Sequence, residues 1–259
     1  MNLFYRKLGQ GRPIFILHGL FGSSDNWQTL GKKFAEHFEV YLIDQRNHGQ
    51  SFHSEEWNYH AMSEDLLNLT KENNLDKIML IGHSMGGKAA MNFTVNHPEK
   101  VEKIIVVDIA PKYYPIHHRQ ILDALVSLNL SKVSSRKEAE NILSQKIEDL
   151  GELQFLLKNL YWKDIQNKQL SWRFNLDVIN RKIEIVGEEQ KAENNPVSIP
   201  TLFLRGEKSH YILEEDFSAI KKSFSNVRLE TINGARHWVQ AEQPTLFYEA
   251  AISFLNSLE

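Results

Sequence analysis

Short apolar runs recur along the chain, and the longer segments between them carry apolar residues at helical spacing. The runs are rich in Ile, Val and Leu without regular polar alternation, which is typical of strands buried on both faces of a parallel sheet. They lie at 14–17, 40–44, 77–82, 103–108, 201–205 and 227–232. The intervening patterns predict helices at about 25–37, 59–74, 84–97, 214–224 and 242–257. This alternation predicts an α/β fold with a mostly parallel central sheet flanked by helices.

One interval, from about residue 112 to residue 197, breaks this rhythm. It has no convincing buried strand and instead shows amphipathic pieces with helical spacing, such as HRQILDALVSL, EAENILSQKI and LQFLLKNLYW. The pattern predicts an inserted helical cap at 112–197 on a core formed by 1–111 and 198–259. Its aromatic content favours a lid over the strand ends rather than a long surface crossover, and active sites in parallel sheets lie at those ends.

Composition narrows the class of function. The 259 residues are 42% hydrophobic and carry a net charge of −3, so nothing in the charge balance indicates a nucleic-acid partner. No cysteine is present, which excludes disulfides and thiolate metal sites and fits a reducing compartment. We expect a cytoplasmic protein without a membrane span, a metal or an organic cofactor, because no secretory pattern and no apolar stretch of about 20 residues occurs.

The stretch IMLIGHSMGGKAA at 78–90 joins a buried run to a helical pattern through small residues. It contains G-x-S-x-G with Ser84 at its centre. In a nucleophile elbow the serine stands on a strained strand-to-helix turn, which exposes its hydroxyl above the sheet. The strand before Ser84 and the helix after it favour this interpretation over an inert turn.

A serine needs a base to take its proton, and this arrangement orders its triad as serine, acid, histidine. Of eleven histidines, His237 in NGARHWVQAEQP lies between the last strand and the last helix, so it is the predicted base. Structural roles in turns or packing are the expectation for three earlier histidines, at positions 18, 48 and 83. The backbone amides of Met85 and Leu20, with Phe21 as the neighbouring alternative, are the predicted oxyanion donors.

Four motifs in order, HGLFG, DQRNHGQS, GHSMGG and GARHWVQAEQP, resemble the α/β-hydrolase superfamily over the whole chain. The stretches HGLFGSSDNW, VVDIAPKYY, WRFNL and RGEKSHYI are most similar to small bacterial esterases of the YbfF type and to eukaryotic ABHD-type hydrolases. The resemblance implies the α/β-hydrolase fold and hydrolysis of carboxylic esters or acyl thioesters through an acyl-enzyme.

The acid of the triad departs from the superfamily pattern. An aspartate usually follows the strand that here is TLFLR, but the sequence RGEKSHY places Ser209 in that slot. Asp108 ends the strand KIIVVD, so its carboxylate should emerge at the same sheet edge, and the YbfF-like resemblance also implies an acid there. We therefore predict Asp108 as the acid, with Asp177 and Glu207 as competitors and a turn-capping aspartate as the structural alternative.

Aromatic residues near these motifs are candidates for the substrate pocket. Phe21, Tyr113, Trp172 and Trp238 are the predicted lining. Each could equally belong to the core. Lys112, Arg119 and Lys208 could meet a coenzyme A phosphate, although scattered surface cations are the preferred interpretation.

The leading function is a serine esterase or thioesterase that acts on a small-molecule ester or acyl thioester. The same triad could instead hydrolyse a C–C bond or perform a lyase step, since fold alone does not define the reaction. A non-catalytic ligand-binding relative is the third reading. It is disfavoured because both Ser84 and His237 are present.

Overall fold

A twisted sheet of seven strands forms the centre of the molecule. The computed structural model describes residues 2–190, 192 and 196–257. Within them the sheet has the order β1-β3-β2-β4-β5-β8-β9, and a separate hairpin pairs β6 with β7. The strands are β1 (Tyr5–Leu8), β2 (Pro13–Leu17), β3 (Glu39–Ile43), β4 (Ile78–His83), β5 (Val101–Val107), β6 (Leu160–Asp164), β7 (Gln169–Trp172), β8 (Thr201–Gly206) and β9 (Val227–Ile232).

Ten α-helices lie in the described part of the chain. They are α1 (Gln28–Phe34), α2 (Tyr59–Glu72), α3 (Met85–Asn96), α4 (Arg119–Ser127), α5 (Arg136–Leu143), α6 (Leu150–Leu157), α7 (Leu176–Arg181), α8 (Asp216–Ser223), α9 (Val239–Glu242) and α10 (Pro244–Asn256). Short 3-10 turns lie at Ser24–Trp27, Pro98–Lys100, Leu130–Lys132 and Ile183–Gly187. None of the helices so described is long and apolar enough to cross a bilayer.

The inner strands of the sheet are buried on both faces, as their unbroken apolar runs predict. The prediction of a buried strand at 227–232 is wrong, because β9 lies at the edge of the sheet and is half-buried or exposed at five of its six residues. Along β2, Ile14 and Ile16 join the core beneath α1 and α10, whereas Phe15 and Leu17 join the core shared by α2 and α3. This alternation follows from the two-residue period of a strand, with apolar side chains needed on each face because helices cover both. The predicted α/β-hydrolase architecture is confirmed.

Within the seven-stranded sheet the strands pair in parallel except at one edge, where β1 runs antiparallel to β3. The sequence analysis does not predict β1. Its four residues, YRKL, are half-buried or exposed and include two cations, so they lack the apolar run that identifies the inner strands. Charged edge strands of this kind protect a sheet from pairing with another chain.

The segment between β5 and β8 contains α4 to α7 and the β6–β7 hairpin. The helical assignment of LQFLLKNLYW is wrong at its end, because α6 stops at Leu157 and LYWKD forms β6. The strand is short and mostly half-buried, and therefore carries no strand signature in the sequence. Apolar side chains of the segment belong to the same core cluster as α2 and α3. The division at 112–197 stays a prediction, and residues 191 and 193–195 lie outside the described residues.

Both ends of this segment are tied to α3 by one buried lysine. The ammonium of Lys88 donates to the carbonyl oxygens of Lys112 at 2.9 Å and Gly187 at 3.0 Å, and also to that of Glu188. Burial lowers the pKa of Lys88 to about 7. Because Met85 and Lys88 belong to the same helix, the segment over the strand ends is anchored next to the predicted elbow.

Candidate active site

Ser84 occupies the sharp turn between β4 and α3. Its φ of 52° and ψ of −118° lie in a region of backbone conformation that residues with a side chain rarely adopt. Its amide donates to the Val107 carbonyl at 3.0 Å. The turn can close only because the residues two positions before and after Ser84 are glycines. A Cβ on Gly82 would lie 2.3 Å from the Gly86 carbonyl oxygen, and one on Gly86 would lie 2.5 Å from the His18 carbonyl oxygen. This is the backbone that a nucleophile elbow requires.

His237 lies in the loop between β9 and α9, and its ring contacts the carboxylate of Asp108. Nδ1 of His237 donates to Oδ2 of Asp108 at 2.8 Å. With the proton on Nδ1, the other ring nitrogen is free to accept a proton. The His237 carbonyl also accepts a hydrogen bond from Nε2 of His83 at 2.9 Å, which fixes the loop against the elbow. The geometry is that of a histidine oriented by an acid.

Asp108 follows β5 in a left-handed conformation, with φ of 50°, and is fully buried. Its Oδ1 accepts from the Gly206 amide at 3.1 Å, and its Oδ2 also accepts from the hydroxyl of Ser209. Ser209, which stands where the superfamily places its acid, thus supports an acid from the neighbouring strand. The competitors lie elsewhere: Asp177 pairs with Arg181, and Glu207 accepts from the Gly234 amide.

Leu20 and Phe21, the two candidates for the second oxyanion donor, differ in whether the backbone amide already donates a hydrogen bond within the protein. The Phe21 amide donates to Nε2 of His48 at 3.2 Å, so it is not available to a substrate oxygen. Among the described residues, the amides of Leu20 and Met85 have no protein acceptor. Met85 is the first residue of α3, where amides point along the helix axis without an intrahelical partner. The geometry therefore favours Leu20 over Phe21 as the partner of Met85.

Three buried neutral histidines hold the loops around these amides. Burial lowers the pKa of His18 to about 4 and those of His48 and His83 to about 3. Nδ1 of His18 donates to the Gly19 carbonyl at 2.8 Å, while its Nε2 accepts from the Gln45 amide at 3.0 Å. Both ring nitrogens of His48 are likewise occupied. These contacts give the three histidines structural roles.

A cavity of about 940 Å³ opens over Ser84 and His237. Of the predicted pocket residues, Phe21 and Trp238 line it. Tyr113 and Trp172 do not, which corrects their prediction. The Tyr113 side chain is 59% exposed on the surface, and Trp172 is buried behind the wall, stacked on Phe174 at 5.2 Å.

The three cations considered as alternative phosphate contacts do not line this cavity, in agreement with the preferred interpretation of scattered surface charges. Lys112 pairs with Asp216 at 2.6 Å, Arg119 donates to Asn180 at 2.9 Å, and Lys208 is exposed. The described residues that do line the cavity include four basic and four acidic side chains: Arg136, Lys158, Arg173, Arg236, Asp25, Asp149, Glu152 and Glu242. The cavity is therefore electrically balanced.

Sequence reasoning missed Tyr211, whose ring stacks on His237 with centroids 3.9 Å apart and planes 18° apart. Its hydroxyl contacts Nε2 of His117 at 2.6 Å. Tyr211 follows β8 and His237 follows β9, so only the folded chain brings them together. The sole signal in the sequence is that both follow strands ending at the same edge. No group of residues suited to hold a metal ion occurs in the described part.

The chain is similar to known hydrolases over most of its length. A model of the alpha/beta hydrolase fold family matches residues 12–244. The chain is 36% identical over 256 residues to the sn-1-specific diacylglycerol lipase ABHD11 of Danio rerio, covering 95% of this chain and 79% of the relative. It is 35% identical over 246 residues to the esterase YbfF of Escherichia coli, covering 94% and 93%.

Among solved structures, the chain superposes on a marine microorganism esterase with a TM-score of 0.95 and 43% identity, over 98% of this chain and 99% of that one. The resemblance to YbfF-type esterases and ABHD-type hydrolases is confirmed by these relatives. Together with the seven-stranded sheet and the match over most of the chain, they show that the chain belongs to the α/β-hydrolase fold family.

Proposed function

We propose that the protein is a serine hydrolase of carboxylic esters, with Ser84 as nucleophile, His237 as base and Asp108 as acid. One observation carries the proposal. Nδ1 of His237 donates to a buried Asp108 carboxylate at 2.8 Å, while the same imidazole and Ser84 line one cavity. The esterase names of the relatives agree with this chemistry.

The reaction proceeds in two halves. In the first, His237 takes the Ser84 proton as the oxygen attacks the ester carbonyl, and the amides of Leu20 and Met85 receive the negative charge. His237 then gives the proton to the leaving oxygen, and an acyl-enzyme remains. In the second half, His237 deprotonates a water that attacks the acyl-enzyme and frees the acid.

Asp108 contributes by stabilising the imidazolium that forms in each half. Its carboxylate is removed from solvent and already satisfied by the Gly206 amide and the Ser209 hydroxyl. Those donors hold the carboxylate in one orientation, so that it keeps the His237 proton on Nδ1 throughout.

Acyl thioesters are a second substrate class with the same chemistry. Coenzyme A would bring several phosphate charges, and the balanced set of basic and acidic side chains around the cavity offers no net attraction for them. We therefore place simple esters ahead of acyl-coenzyme A.

A cytoplasmic location stays a prediction from the sequence, and fractionation of producing cells tests it.

Hydrolysis of p-nitrophenyl acetate and butyrate by the wild type, Ser84→Ala and Ser218→Ala tests the proposal. Ser218 is exposed on α8 and serves as the matched control. We expect turnover by the wild type and Ser218→Ala, and only background with folded Ser84→Ala. Equal turnover by Ser84→Ala, or none by the wild type with either ester, would overturn the proposal.

A further inference from the structure

Ser84 borders a second, much smaller cavity besides the large one. It has a volume of about 10 Å³, roughly the room of one water or methyl group. Its walls are mostly apolar and include Ile109, Ile116 and Val186. Ser84 thus stands between a space for a large group and a space for a very small one.

The chemistry of the proposed reaction decides which part of an ester enters each space. The leaving oxygen must receive its proton from His237, so it lies beside that ring. His237 lines the large cavity but not the small one. In a tetrahedral intermediate the acyl substituent points away from the leaving oxygen, and the small cavity is the space left for it.

The wall of the small cavity is held in place by hydrogen bonds. The Val186 carbonyl accepts from the Tyr59 hydroxyl at 3.1 Å. The Gly187 carbonyl accepts from the Tyr114 amide at 2.9 Å and from the ammonium of Lys88 at 3.0 Å. Widening the cavity would break bonds to buried groups, which is costly. The small volume is therefore a fixed property of the site.

We propose that the enzyme selects esters of the shortest acyl group, acetyl, joined to a bulky alcohol or phenol. The inference rests on the proposed ester hydrolysis and adds the division of the substrate between the two cavities. The large cavity, about 940 Å³, is of the size that ordinarily encloses a whole small-molecule ligand.

Two series of esters test the proposal. In the first, p-nitrophenyl esters lengthen the acyl group from acetyl to octanoyl. In the second, the acetyl group is kept and the alcohol grows from ethyl to benzyl to naphthyl. We expect kcat/KM to fall at least about tenfold from acetyl to hexanoyl, because a pocket discriminates by about this factor for each group it cannot hold. With the acetyl group fixed, we expect kcat/KM to be kept or to rise.

Two isoleucines provide matched variants, since both are half-buried but Ile116 lines the small cavity and Ile121 the large one. Ile116→Ala should raise the hexanoyl-to-acetyl ratio of kcat/KM at least about fivefold. If Ile116→Ala folds poorly, Val186→Ala replaces it, because Val186 lies in the same wall and its truncation is expected to raise the same ratio. Ile121→Ala should leave that ratio unchanged.

A flat or rising dependence on acyl length, or a ratio that responds to Ile121→Ala and not to Ile116→Ala, would overturn the division while leaving ester hydrolysis intact. Loss of the proposed function itself gives a different result. In that case no ester in either series is turned over, or Ser84→Ala turns over all of them.

Discussion

At the scale of single residues, the proposed acid does not follow the strand to which the superfamily pattern assigns it. Asp108 follows β5, and Ser209 follows the adjacent β8. Because parallel neighbouring strands end at the same edge, either position can reach Nδ1 of His237. Here the carboxylate comes from β5 and accepts a hydrogen bond from the serine. One buried carboxylate at that nitrogen is what the chemistry needs, whichever strand supplies it.

Asp108→Asn should lower kcat by about 10³-fold to 10⁴-fold, because a neutral amide cannot stabilise the imidazolium and can select the wrong tautomer. Steady-state kinetics on p-nitrophenyl acetate measures the effect, and circular dichroism checks the fold. Asp177→Asn, at an exposed position on α7, is the matched control and should be close to wild type. Activity of Asp108→Asn within about tenfold of the wild type would mean that another acid serves His237.

Residues differ in how far sequence could identify them. Ser84 and His237 stand in local motifs whose spacing reflects one turn or loop, and they can be selected without a structure. Tyr211 carries no such motif, since its stack on His237 depends on two loops that are separated in the chain by α8 and β9. For Tyr113 and Trp172 only the residue type indicates a pocket role. In the folded chain Tyr113 is exposed on the surface, and Trp172 is buried behind the wall of the cavity.

At the scale of elements, buried strands were predictable because parallel strands covered on both faces have continuous apolar runs. The edge strand β1 and the β6–β7 hairpin were not, since each is short and at least partly exposed. Their pairing is stabilised by neighbours distant in sequence, which a local pattern does not contain. The segment between β5 and β8 was recognisable only because it interrupts the alternation of apolar runs and helical patterns.

Hydrogen bonds from α3 to the segment between β5 and β8 lead to a prediction about Lys88. Lys88→Met removes the ammonium shared by the carbonyls of Lys112, Gly187 and Glu188, and should lower the free energy of unfolding by about 1–3 kcal/mol. Urea unfolding measures the loss. Limited proteolysis should show faster cleavage near residues 112–118.

Lys103 is the matched control, since it is a buried lysine that donates to the carbonyls of Phe254 and Ser257 at the other end of the molecule. Lys103→Met should expose the C-terminal helix to cleavage rather than residues 112–118. The same cleavage pattern in both variants would contradict a local role for Lys88.

At the scale of the whole molecule, the neutral histidines around the site link stability to pH. Their pKa values lie at about 4 for His18 and about 3 for His48 and His83, chiefly because burial disfavours the charged ring. A histidine in the unfolded chain titrates near 6.5. Between about pH 6.5 and pH 4 the unfolded chain therefore binds more protons, and the free energy of unfolding falls as the pH falls.

In that window, each such histidine should lower the free energy of unfolding by about 1.4 kcal/mol for each pH unit by which the pH falls. Urea unfolding at pH 7, 6, 5 and 4.5 measures the slope. His48→Gln should reduce the slope by about one proton, whereas His60→Gln, on the surface of α2, should not change it. A free energy of unfolding that stays constant from pH 7 to pH 4.5 would show that these rings are not held neutral.

The proposed mechanism depends on Ser84 as the nucleophile, and covalent labelling tests that role most directly. A fluorophosphonate reacts with a serine whose proton is taken by a positioned base, and mass spectrometry then locates the adduct. We expect one adduct on the peptide containing Ser84, no adduct in Ser84→Ala, and slower labelling of Asp108→Asn. An unlabelled wild type, or a label on another residue that persists in Ser84→Ala, would contradict the account.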